Sequence, residues 1–203
     1  YLFGSFPTGY LVARWRKGID IRQYGSGGTG ATNVLRTVGK AAAIAVLLID
    51  LLKGMASVLL VQLTFPAVLA MFPQGPVTLA WQPWTEIGAG LLAIVGHSRS
   101  VWINFTGGKS AASSLGILLA MAWPVALGAI VAFGMTLGLS RIVSLGSMVA
   151  AVTTIGLMFA TGQPLAYGAF AIIGGVYVIL RHRTNIERLL AGTEPRLGSQ
   201  ASK

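Results

Sequence analysis

The distribution of charge limits the fold of this chain more than any other feature. No Lys, Arg, Asp or Glu occurs between Lys53 and Glu86, between Lys109 and Arg141, or between Arg141 and Arg181. A helix of about 20 apolar residues matches the roughly 30 Å of hydrocarbon in a bilayer. Such runs, recurring along the chain, read as a polytopic all-α integral membrane protein. The apolar runs are continuous rather than alternating, which excludes a β-barrel pattern. Composition agrees: 54% of residues are hydrophobic and 10% charged, against about 25% charged in a soluble domain.

Interruptions in the apolar runs predict about seven transmembrane helices, several of them short: 1–15, 41–63, 84–98, 110–122, 124–139, 142–160 and 164–180. Residues 64–83 carry Pro66, Pro73, Pro76 and Pro83 and read as a loop or interfacial segment, with Trp81 and Trp84 suited to a headgroup belt. Later breaks fall at Trp123–Pro124, Ser140–Arg141 and Gly162–Gln163–Pro164. The first run, 1–15, reaches only about 22 Å at helical rise, so the expected first helix starts upstream of Tyr1. The whole of 1–203 is expected to be one domain, with 195–203 a flexible tail.

Charge orients this arrangement. With the loop 16–40 placed in the cytoplasm, one set of alternating loops holds Arg16, Lys17, Arg22, Arg36, Lys40, Arg99, Lys109, Arg141, Arg181, Arg183, Arg188, Arg196 and Lys203. The opposite loops, 64–83 and those near 123 and 162, hold no Lys or Arg. Positive residues favour the cytoplasmic side, which predicts an external N-terminus and a cytoplasmic C-terminus. A six-helix reading, fusing 110–139, would leave the basic tail outside. The net charge of +10 therefore reads as a membrane-surface pattern, not as a nucleic-acid footprint. The chain has no cysteine, which excludes disulfides and thiolate ligation but does not fix the compartment.

Three polar stretches fall on the predicted cytoplasmic face. The first, "GSGGTGATNVLR" (25–36), combines glycines with Ser26, Thr32, Asn33 and Arg36. Glycine lets backbone N–H groups turn toward an anion. A helix starting near Thr32–Asn33 would add the positive end of its dipole, and Arg36 could close on a phosphate. The second, "GHSRSVWINFTGGKS" (96–110), places Gly107 and Gly108 before Lys109, with Ser110 as the expected N-cap of the next helix. A P-loop is excluded, because its first glycine would fall on Ile103 and no strand precedes it. The third, "RHRTNIERLLAGTE" (181–194), spaces His182, Asn185 and Arg188 three apart, as on one helical face. His182 lies between Arg181 and Arg183, which favours a neutral, hydrogen-bonding imidazole.

Within the second span, Asp50 and Lys53 stand three apart as either a self-neutralising pair or a functional one. Glu86 opens the third span on the outer side and needs no special role. His97 and His182 have no obvious Asp partner, and the cytoplasmic acids are Asp20, Glu187 and Glu194. A Ser-His-Asp triad or carboxylate metal site is therefore poorly supported. The face reads as a cradle of cations and amides for anions, acting on a substrate that arrives already activated. A transporter of phosphorylated solutes would share the basic loops, but it also requires a polar path through the membrane. A metal-dependent phosphatidyltransferase would require clustered aspartates.

Together and in this order, the three stretches resemble the bacterial PlsY family of acyl-phosphate:glycerol-3-phosphate acyltransferases, whose pattern is GSGNxGATNxxR, GH…FxGGKGxAT and RHxxNIxRLxxGxE. The resemblance implies transfer of a fatty acyl group from acyl-phosphate to the 1-hydroxyl of sn-glycerol 3-phosphate, opening phospholipid synthesis in a bacterial inner membrane. It implies a multi-pass, monomeric enzyme among membrane lipids, its active site cytoplasmic, with no cofactor and no metal. Lys109, His182 and Asn185 are the catalytic residues it implies. Gly25, Ser26, Gly27, Gly30, Thr32, Asn33, Arg36, His97, Gly107, Gly108, Ser110, Arg188 and Glu194 are the implied substrate- and phosphate-binding residues. Gly28 stands where the family has Asn, Ser110 where it has Gly, and Ser113 keeps a hydroxyl where it has Thr.

Overall fold

The computed structural model describes residues 1–72 and 78–198, and their regular structure is helical. Two compact units emerge, one spanning Tyr1–Met121 and the other running from Ala122 onward. The first holds α1 (Leu2–Ser5), α2 (Thr8–Lys17), α3 (Ala31–Thr37), α4 (Lys40–Met71), α5 (Gln82–Ser98) and α6 (Ala111–Met121). The second holds α7 (Trp123–Ser140), α8 (Val143–Ala160), α9 (Leu165–Arg181) and α10 (Arg183–Leu190).

Helix ends follow local chemistry. Pro124 sits in the first turn of α7, where its missing N–H costs nothing. Arg141 ends that helix in the left-handed conformation, at φ 59°. Gly162, at φ 63°, turns the chain after α8, and Pro164 precedes α9. These are the three later breaks the sequence predicts.

Elsewhere the structure corrects the sequence reading. Residues 1–15 are not one run: Phe6 and Pro7 divide α1 from α2. The second span does not stop near residue 63. It continues through Pro66 to Met71, so 64–71 is helix rather than loop. An apolar helix tolerates this proline where neighbours or adjusted turns take up the freed carbonyl. Pro73 and Pro76, and residues 199–203 of the expected tail, lie outside the described residues. Glu86 has a role after all: it is buried, accepting from Gln82 Nε2 at 3.0 Å and Gln62 Nε2 at 3.3 Å.

Among the described residues, three helices are long and apolar enough to cross a membrane: α4, α7 and α8. α9 and α10 meet the same test as a pair bent by 59°. The apolar helix α6, with 11 residues, is shorter than a full span, and α5 has 17 residues.

In the first unit the helices close on small residues. A Cβ on Gly54 of α4 would lie 2.1 Å from the Ser113 carbonyl oxygen, and one on Gly116 of α6 would lie 1.9 Å from that of Leu51. α1 and α5 meet as closely, with Gly4 against Ala93 and Gly96 against the Tyr1 carbonyl. Without a hydrophobic driving force inside lipid, such backbone proximity supplies the van der Waals contact that holds helices together.

Candidate active site

The first polar stretch is organised by Asn33. It rests on a core of Ala13, Ile21, Val34, Ala42, Ala43 and Val46, which ties α2 and α3 to the start of α4. Asn33, 2% exposed, donates through Nδ2 to the carbonyls of Tyr24 at 2.9 Å, Gly28 at 2.8 Å and Ile21 at 3.3 Å. Its Oδ1 accepts from the Ser26 N–H at 3.0 Å. The Gly27 N–H donates to the Tyr24 carbonyl at 3.0 Å. Sequence reasoning treated Asn33 and these amides as donors to a ligand, but the carboxamide is spent on the loop itself. The helix starts at Ala31, one residue before the expected point, and no side chain caps it. Ser26 and Arg36 are exposed and Thr32 is half-buried, so the outward-facing polar groups of this stretch are these three.

Arg22 joins the first stretch to the second. It forms a forked pair with Asp20, Nε to Oδ1 at 2.9 Å and Nη2 to Oδ2 at 2.6 Å. Its Nη1 donates to the Ile103 carbonyl at 3.1 Å, and its guanidinium lies 5.2 Å from the centre of the Tyr10 ring. The hydrogen bond from Arg22, strengthened by its charge, holds the Asp20 carboxyl below its usual range despite partial burial. The sequence alone shows Arg22 only as one of the basic residues of the first loop.

The second stretch leaves α5 at Ser98 and closes a small loop in which Ser100 N–H donates to the Thr106 carbonyl at 3.0 Å. His97 is buried under the glycine pair. Its Nδ1 lies 3.6 Å from Asp50 Oδ1, which also pairs with Lys53 Nζ at 2.8 Å. His97 therefore has an aspartate partner, contrary to the sequence reading; the two are on different helices and no local spacing reveals it. Lys109 is half-buried at the mouth of this turn. Ser110 directly precedes α6. Its Oγ donates to the Ile94 carbonyl at 2.8 Å, while its backbone takes φ 66°.

The third stretch lies in the second unit. His182 sits at the bend between α9 and α10, not within one helix, and its Nδ1 donates to the Val178 carbonyl at 2.8 Å. A carbonyl can only accept, so Nδ1 carries a proton there. Asn185 and Arg188 share α10, and Glu194 gathers them. The carboxylate accepts from Asn185 Nδ2 at 2.6 Å, Arg188 Nε at 2.7 Å and Ser144 Oγ at 2.7 Å. Burial alone would push the Glu194 carboxyl up. The three donors outweigh it and hold the group below its usual range. Glu194 is thus engaged in placing Asn185 and Arg188, and its charge has the same sign as a phosphate. Ser144 escaped sequence reasoning, since it stands in an apolar helix fifty positions from its partner.

Chemically, each unit offers cations and hydrogen-bond donors held in place by buried anchors. Among the described residues, no group of three or more His, Cys, Asp or Glu side chains has the arrangement of a metal site.

Comparison with known proteins bears on the family and the helical fold. Residues 1–192 match the family described as glycerol-3-phosphate acyltransferase. The chain is 56% identical to the glycerol-3-phosphate acyltransferase of Rippkaea orientalis over all of this chain and 92% of that one. It is 53% identical to that of Trichodesmium erythraeum, covering 100% of this chain and 90% of the relative. Crystal structures of PlsY (YgiH), an integral membrane glycerol 3-phosphate acyltransferase, are similar at 36% identity over 98% of this chain. The glycerol 3-phosphate form has a TM-score of 0.81, covering 92% of its chain, and the lysophosphatidic acid form 0.77, covering 91%. On its sequence and its helical architecture alike, this chain belongs to the glycerol-3-phosphate acyltransferase family of integral membrane proteins.

Proposed function

We propose that this membrane acyltransferase moves a fatty acyl group from acyl-phosphate to the 1-hydroxyl of sn-glycerol 3-phosphate, releasing lysophosphatidic acid and inorganic phosphate. The observation that carries the reading is the likeness, over 98% of the chain, to a protein solved with glycerol 3-phosphate and with lysophosphatidic acid. One of these is the proposed acceptor and the other the proposed acylated product. The transporter alternative finds no such support.

The chemistry suits the residues. Acyl-phosphate is a mixed anhydride, so its carbonyl carbon is electrophilic and phosphate leaves readily. The acceptor oxygen attacks that carbon, the bond from carbon to the phosphate oxygen breaks, and the hydroxyl proton passes to a phosphate oxygen. Both substrates are anions at their reacting ends. Catalysis is then orientation and neutralisation of charge. In this reading Lys109 and Arg36, with Ser26 and Thr32, grip phosphate. Asn33 and the glycines 25, 27 and 30 shape that loop, and His182, Asn185 and Arg188 position the acceptor or the leaving group.

The topology goes with it: seven crossings, an external N-terminus, and polar stretches facing the cytoplasm of a bacterial inner membrane. The clean segregation of basic loops supports this. The chain acts as a monomer.

The test supplies palmitoyl-phosphate and labelled glycerol 3-phosphate to the purified protein. Lysophosphatidic acid forms with the parent protein and falls sharply with Lys109→Ala. No product from the parent protein, or product only from palmitoyl-CoA, overturns the assignment of the donor.

A further inference from the structure

Asp50, Lys53 and His97 form a buried ionisable cluster that the proposed reaction does not use directly. Their exposures are 2%, 8% and 6%. Placing three ionisable side chains in an apolar interior is costly and marks a function. Asp50 Oδ1 faces Lys53 Nζ at 2.8 Å on its own helix and His97 Nδ1 at 3.6 Å on α5. Lys53 Nζ also donates to the Phe6 carbonyl at 2.9 Å, at the break between α1 and α2.

The other edge of the imidazole meets the glycine turn. A Cβ built on Gly108 would lie 2.2 Å from His97 Nε2 and 3.1 Å from both Cδ2 and Cε1. The Gly108 N–H donates to the His97 carbonyl at 3.2 Å, and a Cβ on Gly107 would lie 2.2 Å from that same oxygen. The ring is therefore a wedge, with Asp50 behind it and the turn that carries Lys109 in front.

We infer that Asp50 and His97, braced by Lys53, are positioning residues that set where the Gly107–Gly108–Lys109 turn sits. Gly108 is bare because the imidazole occupies the space of a side chain, and Gly107 because the backbone of His97 and Ser98 does. Asp50 Oδ1, 3.6 Å from Nδ1 and beyond hydrogen-bond reach, backs the ring from an adjoining helix, and the packing of Gly54 against Ser113 fixes the helix that carries the aspartate. His97 then acts through Lys109 rather than on the substrate. This rests on the reading that Lys109 grips a substrate phosphate.

The experiment measures kcat and both KM values of the full chain in lipid nanodiscs, with thermal unfolding recorded alongside. The variants are Lys109→Ala, Gly108→Ala, His97→Ala, Asp50→Asn and the double change of His97→Ala with Gly108→Ala. Lys109→Ala identifies the substrate whose KM depends on the lysine. For that substrate, Gly108→Ala raises KM by up to about a hundredfold, the order of loss that a displacement near 1 Å brings. His97→Ala and Asp50→Asn raise the same KM more than they lower kcat. The double variant loses no more than His97→Ala alone, because the added methyl group now has room. Should Gly108→Ala prevent folding, recovery of folded, active protein in the double variant carries the same meaning.

Losses that multiply in the double variant, or a double variant that stays unfolded, overturn the inference. So does a His97→Ala protein with abolished kcat and an unchanged KM, which would make the imidazole a participant in the chemistry. If Lys109→Ala leaves both KM values unchanged, the phosphate role of Lys109 fails instead. The coupling between His97 and Gly108 is then still read from the double variant.

Discussion

Arg188 donates from Nε to Glu194 Oε2 at 2.7 Å, across the turn that follows the last helix. The arginine is 36% exposed in its side chain and the glutamate 3%. One end of the pair therefore reaches solvent while the other anchors Asn185 and Ser144.

Acid sensitivity follows from this arrangement. The Glu194 carboxyl is held below its ordinary value of 4.5. Its stabilisation is fully present above that value and is lost as the pH falls through the lower, folded-state value. Glu194→Gln should remove this part of the acid response, seen as a flatter dependence of thermal midpoint on pH on the acid side. Glu194→Ala removes the carboxylate that the buried Ser144 hydroxyl donates to and should cost about 1–3 kcal/mol.

Asn33 carries a second prediction. One carboxamide serves three carbonyls and an N–H group. Asn33→Ala strands these groups beside a buried core, and Asn33→Asp places a carboxylate against the three carbonyls. Both variants should weaken substrate affinity and lower thermal stability, with aspartate the worse. Equal stability of parent and Asn33→Asp would refute the assigned hydrogen-bond orientation.

Ser110 offers a test of compensation. Its φ of 66° suits glycine, and a residue with a Cβ there pays on the order of 1 kcal/mol or more in backbone strain. The bond from its hydroxyl to the Ile94 carbonyl offsets that strain. Ser110→Gly exchanges the bond for relief of strain and should change the thermal midpoint little. Ser110→Ala keeps the strain, loses the bond, and should be clearly the less stable of the two.

The contact between α4 and α6 predicts a steric effect on stability. Gly54→Ala or Gly116→Ala drives a methyl group into a carbonyl of the facing helix. Overpacking of this kind costs about 1–3 kcal/mol. Unfolding in a series of mild detergents should show it, and a midpoint unchanged in both variants would mean that the helices are further apart.

Much of this protein is local in origin. Charge-free runs dictate membrane helices because a long apolar segment has nowhere cheaper to go than hydrocarbon. Trp123–Pro124 and Gly162–Pro164 break helices through their own backbone preferences, and a lone charge marks the break at Arg141, so those breaks are legible residue by residue. The three polar stretches could be picked out because glycines, hydroxyls and cations cluster within a few positions. Hydropathy averaged along a run says nothing about how a helix is rotated or which neighbour it meets. Only the tertiary structure could therefore give His97 its aspartate, bind Ser144 to Glu194 across fifty positions, or turn Asn33 inward. It likewise carried α4 past Pro66 and divided the first run at Phe6–Pro7, where Lys53 from another helix donates to the Phe6 carbonyl. Partners of this kind depend on which helix faces come together, and in the first unit bare backbone at Gly4, Gly54, Gly96 and Gly116 makes that choice.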